Sequence, residues 1–199
     1  MKEVSIFFTT LFTILILVNY YNKNKDLIIL KGSDNRKYRL LDLEGKEECL
    51  NILVKLNNNV LKLISLLKEE IKTDKIEEID INEIKTLIKN YNPYSLNENL
   101  ENRSLTAYSL NKGEEICLCL REPHNELIII KDINTLMFVL IHELSHLMTT
   151  EYGHTDKFWK NMTYLLKKSN EVNIYDLIDY KKYPVKYCGV NINQTPLFF

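Results

Sequence analysis

Glycine occurs only 5 times in 199 residues, alanine once, at Ala107, proline 4 times and tryptophan once. So little glycine and proline excludes a collagen-like chain and a Pro/Gly-rich disordered one. No sign of charge dominates. Lys+Arg number 26 against Asp+Glu 27, a formal net charge of -1, which removes any whole-chain electrostatic case for a nucleic-acid or anionic-surface partner. The four cysteines, Cys49, Cys117, Cys119 and Cys188, contain no CxxC pair. Cys117 and Cys119 alternate along a strand, so their thiols share one face at a spacing too tight for an ordinary mutual disulfide; all four read as core packing. What abounds is Lys, Asn and Ile, 22 each, a bias expected of A+T-rich codons that leaves many Asn and Lys as solvated surface. Hydrophobic residues at 45% and charged residues at 27% describe a globular chain with room for one catalytic core.

Residues 4–18, VSIFFTTLFTILILV, carry no charge, and Asn19, Tyr20 and Tyr21 extend the run. A helix of about 18 residues nearly spans a hydrocarbon core of about 30 Å, and paired tyrosines suit the headgroup level, so residues 4–21 are expected to form a single-pass transmembrane anchor. A cleaved signal peptide and a buried core helix compete. No small-x-small cleavage site follows the run, and a core helix would carry a polar stripe. Lys2 and the terminal amine on one side face Lys23, Lys25 and Lys31 on the other, a small excess that favours a cytosolic C-terminal domain.

The remainder reads as mixed structure. Residues 26–43 suggest two short strands around a polar GSDN turn. In residues 47–72, Leu53, Leu56, Val60, Ile64, Leu67 and Ile71 recur at steps of 3 and 4, the stripe of an amphipathic helix. Asp80 with Glu83 forms a capping-box pattern before another helix, which Pro93 stops. Residues 105–130 change period and suggest the strands of a small sheet, with turns at Asn111–Gly113 and Pro123–Asn125. Asp132 can cap a helix from Ile133 to about Thr149 that is apolar on nearly every side and is therefore buried. The fold class expected is α+β.

That buried helix contains His142, Glu143 and His146, the sequence HELSH. Positions i and i+4 share a helix face, so both imidazoles can reach one Zn²⁺ at about 2.0 to 2.1 Å, with Glu143 beside the open coordination position. With 4 His and 18 Glu in the chain, an HExxH arises by chance with a frequency of roughly 0.007, and burying three unpaired polar groups in such a helix would cost several kcal/mol. A hydrolytic zinc takes three protein ligands and leaves the fourth position to water. Gly153 can adopt the positive φ that turns the chain and returns His154 to the site. His154 is the expected third ligand; Glu151 and Glu171 are rivals, and His124 reads as a surface residue in a turn. Thr155 can cap the next helix, whose Phe158, Trp159, Met162, Leu165 and Leu166 face the core.

HELSH, then GH, then the FW of HTDKFW, with the preceding ICLCLR and the later YPVKYCG, resemble the WLM family of zinc metallopeptidases, relatives of the SprT and Spartan proteases. The resemblance covers residues 85–190. It implies a compact zincin-like metallopeptidase domain behind the N-terminal transmembrane helix, a zinc held by His142, His146 and His154, and Glu143 as catalytic base. The organisation expected is an anchor over 1–25, linker strands and scaffold helices over 26–84, and the catalytic domain over 85–199. It also implies protein substrates, typically proteins crosslinked to DNA in the relatives. Those relatives carry DNA-binding or ubiquitin-family interaction regions that this chain has no room for, so DNA is a partner by resemblance alone. Two readings compete: a membrane-bound gluzincin with Glu171 as third ligand, and a non-catalytic module with structural zinc. Tyr175, four residues after Glu171, counts against the first, and an intact Glu143 against the second. Tyr175, Tyr180, Tyr183 and Tyr187 are available as a second electrophile without one being singled out, and Cys188 is a structural thiol rather than an occluding ligand.

Overall fold

The computed structural model describes residues 11–16, 27–76, 79–99, 106–122 and 125–197. Strands β1 (Leu27–Lys31) and β2 (Lys37–Leu41) form an antiparallel hairpin, as the GSDN turn suggests. Helix α1 (Lys46–Lys72) follows, 27 residues and so about 40 Å long. Its apolar stripe, including Leu53, Leu56, Val60, Leu63 and Leu67, is wholly withdrawn from solvent. Helix α2 (Ile81–Asn90) starts where the Asp80 side chain accepts from the Asn82 amide, which satisfies one of the free amides of the first turn.

Strands β3 (Leu96–Glu98), β4 (Ala107–Leu110) and β5 (Glu115–Leu118) form one sheet in the order β3-β5-β4, with β3 parallel and β4 antiparallel to the central strand. β4 is therefore an edge. Strands β6 (Arg121–Glu122) and β7 (Asn125–Ile129) make a second small pair. Helices α3 (Ile133–Met148) and α4 (Asp156–Glu171) pack on each other, and a last hairpin, β8 (Val185–Tyr187) with β9 (Val190–Ile192), closes the fold. The α+β class is as expected.

A single apolar cluster joins these elements, running from Tyr38 to Cys188. α3 lies in it: Leu136, Met137, Leu140, Ile141, Leu144, Leu147 and Met148 have no exposed surface, each burial contributing about 1.5 to 3 kcal/mol. Two polar networks are paired inside it. Asn57, fully buried, donates to the Tyr38 hydroxyl (2.8 Å) and the Pro93 carbonyl (2.7 Å) and accepts from Tyr91 (2.5 Å). Arg121 Nε meets Glu98 Oε1 at 2.8 Å in another buried pair.

Two expectations need correction. Among the described residues no helix is long and apolar enough to cross a membrane, so the transmembrane helix and the single-pass membrane location are not upheld. Of the run 4–21, residues 11–16 are described, and they are helical. Residues 4–10 and 17–21 lie outside the described residues. The second correction is that Cys119 and Cys188 form a disulfide, with Cα atoms 6.3 Å apart and a sequence separation of 69, while Cys49 and Cys117 are buried free thiols. β5 ends at Leu118, so Cys119 leaves the strand that would have aligned it with Cys117, and the β8–β9 turn brings Cys188 to it.

Candidate metal centre

Asp132 caps α3, its carboxylate accepting from the amides of Asn134 and Thr135. Ten residues on, His142 and His146 lie one turn apart, half-buried, while Glu143 between them is buried. The hydroxyls that share this helix are satisfied within it: Ser145 donates to the Ile141 carbonyl (2.7 Å) and Thr149 to the Ser145 carbonyl (2.7 Å). α3 ends as Thr149 goes extended, with φ -86 and ψ 127. Gly153 then takes φ 82. A Cβ there would meet nothing within 4 Å, so glycine is needed for its conformation rather than for space. The turn returns His154 to the end of α3, and the Thr155 hydroxyl accepts from the Phe158 amide to start α4.

The ligand-capable nitrogens of His142, His146 and His154 lie within 4.8 Å of one another. His142 Nε2 and His154 Nε2 are 3.0 Å apart. Two nitrogens on a tetrahedral zinc at about 2.0 to 2.1 Å stand about 3.3 Å from each other, so this pair is within a few tenths of an ångström of that spacing. Phe158, fully buried, forms the floor: its ring lies 4.9, 4.4 and 4.7 Å from the three imidazoles in sequence order. Trp159 stacks on His154 with centroids 5.5 Å apart and an interplanar angle of 29°.

Burial, then the neighbouring His146 and His154, pushes His142 down to about 3. Burial, then His154 and Lys112, brings His146 to about 4. Both imidazoles are thus neutral and available as donors at ordinary pH, the form a metal requires. Glu143 is pushed up to about 7 by burial, against a hydrogen bond from the Ser109 side chain. Ser109 lies on edge strand β4, so β4 borders the acidic group directly. A cleft of about 420 Å³ runs between β4 and the three histidines, with Tyr108, Lys112 and Tyr152 on its walls. On the other side of His142 a larger cavity of about 750 Å³ opens over Phe138, Trp159 and Met162, walled by residues 193–196.

The three histidines named from sequence are brought together, and Glu143 lies beside them. Glu151 is exposed and Glu171 ends α4 in an ion pair with Lys168 at 3.1 Å, roughly 22 Å along the helix from its start; neither belongs to the cluster found among the described residues. Cys188 is taken up by its disulfide. Tyr175, Tyr180 and Tyr187 are buried in the core, and Tyr183 is exposed. Tyr187 donates to the Cys119 carbonyl at 2.9 Å. His124 lies outside the described residues. Sequence reasoning missed Ser109, Lys112 and Tyr152 because their approach depends on how the sheet docks against α3. Asn161 was missed too: buried in α4, it donates to Glu83 Oε2 (3.1 Å) and the Thr149 hydroxyl (2.8 Å), joining three helices beneath the site.

The WLM domain family model matches residues 33–189. The uncharacterized protein R325 of Acanthamoeba polyphaga mimivirus is 35% identical over 167 residues, 82% of this chain and 80% of the relative. Two shorter matches are the uncharacterized protein 136R of Invertebrate iridescent virus 6, 32% identical over 82 residues (41% of this chain, 44% of the relative), and the uncharacterized protein 042R of Invertebrate iridescent virus 3, 37% identical over 84 residues (42% and 50%). No solved structure matches the chain. With a family model spanning most of the chain, and a relative matched over most of both lengths, the protein belongs to the WLM domain family, which is related to the zincin-like metallopeptidases.

Proposed function

We propose that the protein is a zinc-dependent metallopeptidase that hydrolyses peptide bonds of protein substrates. The observation that carries this reading is the convergence of three imidazoles around a point beside the buried carboxyl of Glu143. His142, His146 and His154 would hold the ion, a set of three protein ligands as in hydrolytic rather than structural zinc sites. When bound, zinc supplies Lewis acidity toward water and toward a scissile carbonyl. Glu143 removes a proton from the attacking water and delivers it to the departing amine. The Ser109 side chain lines the same cleft as that carboxyl. A substrate chain lies in the cleft along β4, an outer strand of its sheet among the described residues, where an extended peptide can dock. The cavity over Phe138, Trp159 and Met162 takes an apolar side chain next to the cleaved bond.

Metal analysis and proteolysis of an unfolded protein, with and without single-stranded DNA, test the reading. One zinc per chain and cleavage are expected, with metal largely lost in His154→Ala and retained in Glu171→Ala. The reverse pattern would move the protein to the gluzincin class. Full zinc without cleavage of any substrate would favour a structural role for the ion.

A further inference from the structure

We propose that Lys112 is a positioning residue for the metal site, tying the end of α3 to the loop that presents His154; this rests on the reading of the three histidines as zinc ligands. Lys112 sits in the β4–β5 turn, where Asn111, Lys112 and Gly113 have φ of 44, 58 and 109. Consecutive left-handed residues are rare for side chains with a Cβ, and here they aim the lysine inward. The turn is pressed on the helix end: a Cβ on Gly113 would collide with the Asn90 carbonyl and the Leu147 side chain.

The ammonium meets three carbonyl oxygens, those of His146 (3.0 Å), Thr149 (2.6 Å) and Glu151 (3.1 Å). An ammonium has three protons, so its donors are fully used and none remains for a substrate. The His146 carbonyl is in the last turn of α3 and the Thr149 carbonyl is at its C-cap, where the helix dipole favours a cation. The third lies beyond the helix, in the loop. Residues 150–154 are all exposed. Among the described residues, the Lys112 bond to Glu151 is the one hydrogen bond that reaches the backbone of that loop. The ammonium also lies 5.1 Å from the centroid of the Tyr152 ring. One side chain therefore fixes the angle at which the chain leaves the helix carrying His142 and His146, and so where His154 arrives.

Position and charge make opposite predictions. Removing a positive charge beside a dication would tighten metal binding, whereas releasing the His154 arm would weaken it. Zinc affinity is to be measured by chelator competition on the parent, Lys112→Met, Lys112→Gln, His154→Ala and the Lys112→Met/His154→Ala double variant, with circular dichroism as the check of folding. Lys112→Met is expected to weaken zinc binding by about 10- to 100-fold, the range for groups that orient ligands. The loss should largely vanish on the His154→Ala background, because the lysine acts through that ligand. The cobalt-substituted Lys112→Met protein should show absorption bands shifted toward those of His154→Ala. If the methionine variant does not fold, Lys112→Gln, which keeps an amide donor, carries the same comparison with a smaller loss. Unchanged or tighter zinc binding, or an equal loss on both backgrounds, overturns the proposal while leaving the metal site intact. Absence of zinc from the folded parent overturns the ligand reading itself, and the proposal with it.

Discussion

Replacing Phe158 by alanine removes the floor on which all three imidazoles rest. The side chain is fully buried, and Phe→Ala at such a site costs about 3 to 5 kcal/mol through lost transfer energy and the cavity left behind. That is a large part of a total stability of about 5 to 15 kcal/mol. For a chain of this size each kcal/mol moves the melting temperature by about 2 to 4 °C, so the zinc-free protein should melt roughly 6 to 20 °C lower. A second effect follows from the ring contacts of 4.4 to 4.9 Å to His142, His146 and His154. Without them the imidazoles gain rotamers that must be lost again on binding, and zinc affinity should fall by about 10-fold or more. Thermal unfolding by circular dichroism and chelator competition read the two effects separately. Phe158→Leu should recover most of the stability. A Phe158→Ala protein that melts within about 2 °C of the parent and keeps its zinc affinity would refute the packing argument.

The Cys119–Cys188 bond closes a loop of 69 residues, so Cys188→Ser should lower stability by about 4 kcal/mol on the chain-entropy model; denaturant unfolding with and without reductant checks it, and equal midpoints would contradict it. In the zinc-free protein the unfolded state takes protons on His142 and His146 below about 6.5, while the folded state takes them only at about 3 and 4. Stability is therefore lost as pH falls from about 6.5 toward 4. Glu143 works in the opposite sense, keeping its proton up to about 7 when folded, but one carboxyl is outweighed by two imidazoles. A flat or rising denaturation midpoint between pH 6.5 and 5 would contradict this. Trp159 is the single tryptophan and stacks on His154, so zinc should change its emission with a one-to-one endpoint, and His154→Ala should abolish the change.

Much of the site was legible because it depends on local geometry. The i, i+4 spacing of His142 and His146, the caps at Asp132 and Thr155 and the turn at Gly153 are short-range rules, and each appears where the pattern places it. The apolar residues of α3 gave its burial for the same reason. What could not be read depends on chain segments far apart in sequence. The partner of Cys119 lies 69 residues away, Lys112 reaches carbonyls 34 to 39 residues on, and Asn161 meets Glu83 across 78. No periodicity encodes such meetings. The tyrosines after α4 look available in sequence, yet Tyr175, Tyr180 and Tyr187 bring large apolar bodies and are drawn into the core, while Tyr108 and Tyr152 reach the cleft.

Catalysis and metal binding separate most directly at Glu143. Glu143→Gln keeps the helix, both flanking imidazoles and nearly the same volume, but removes the base. Zinc content and proteolysis of an unfolded substrate are to be measured on the same preparation. Zinc at the parental level with cleavage reduced by about 10² to 10⁴ is expected of a general base. Undiminished cleavage by the zinc-loaded Glu143→Gln protein would contradict the assignment of a metallopeptidase mechanism to this site.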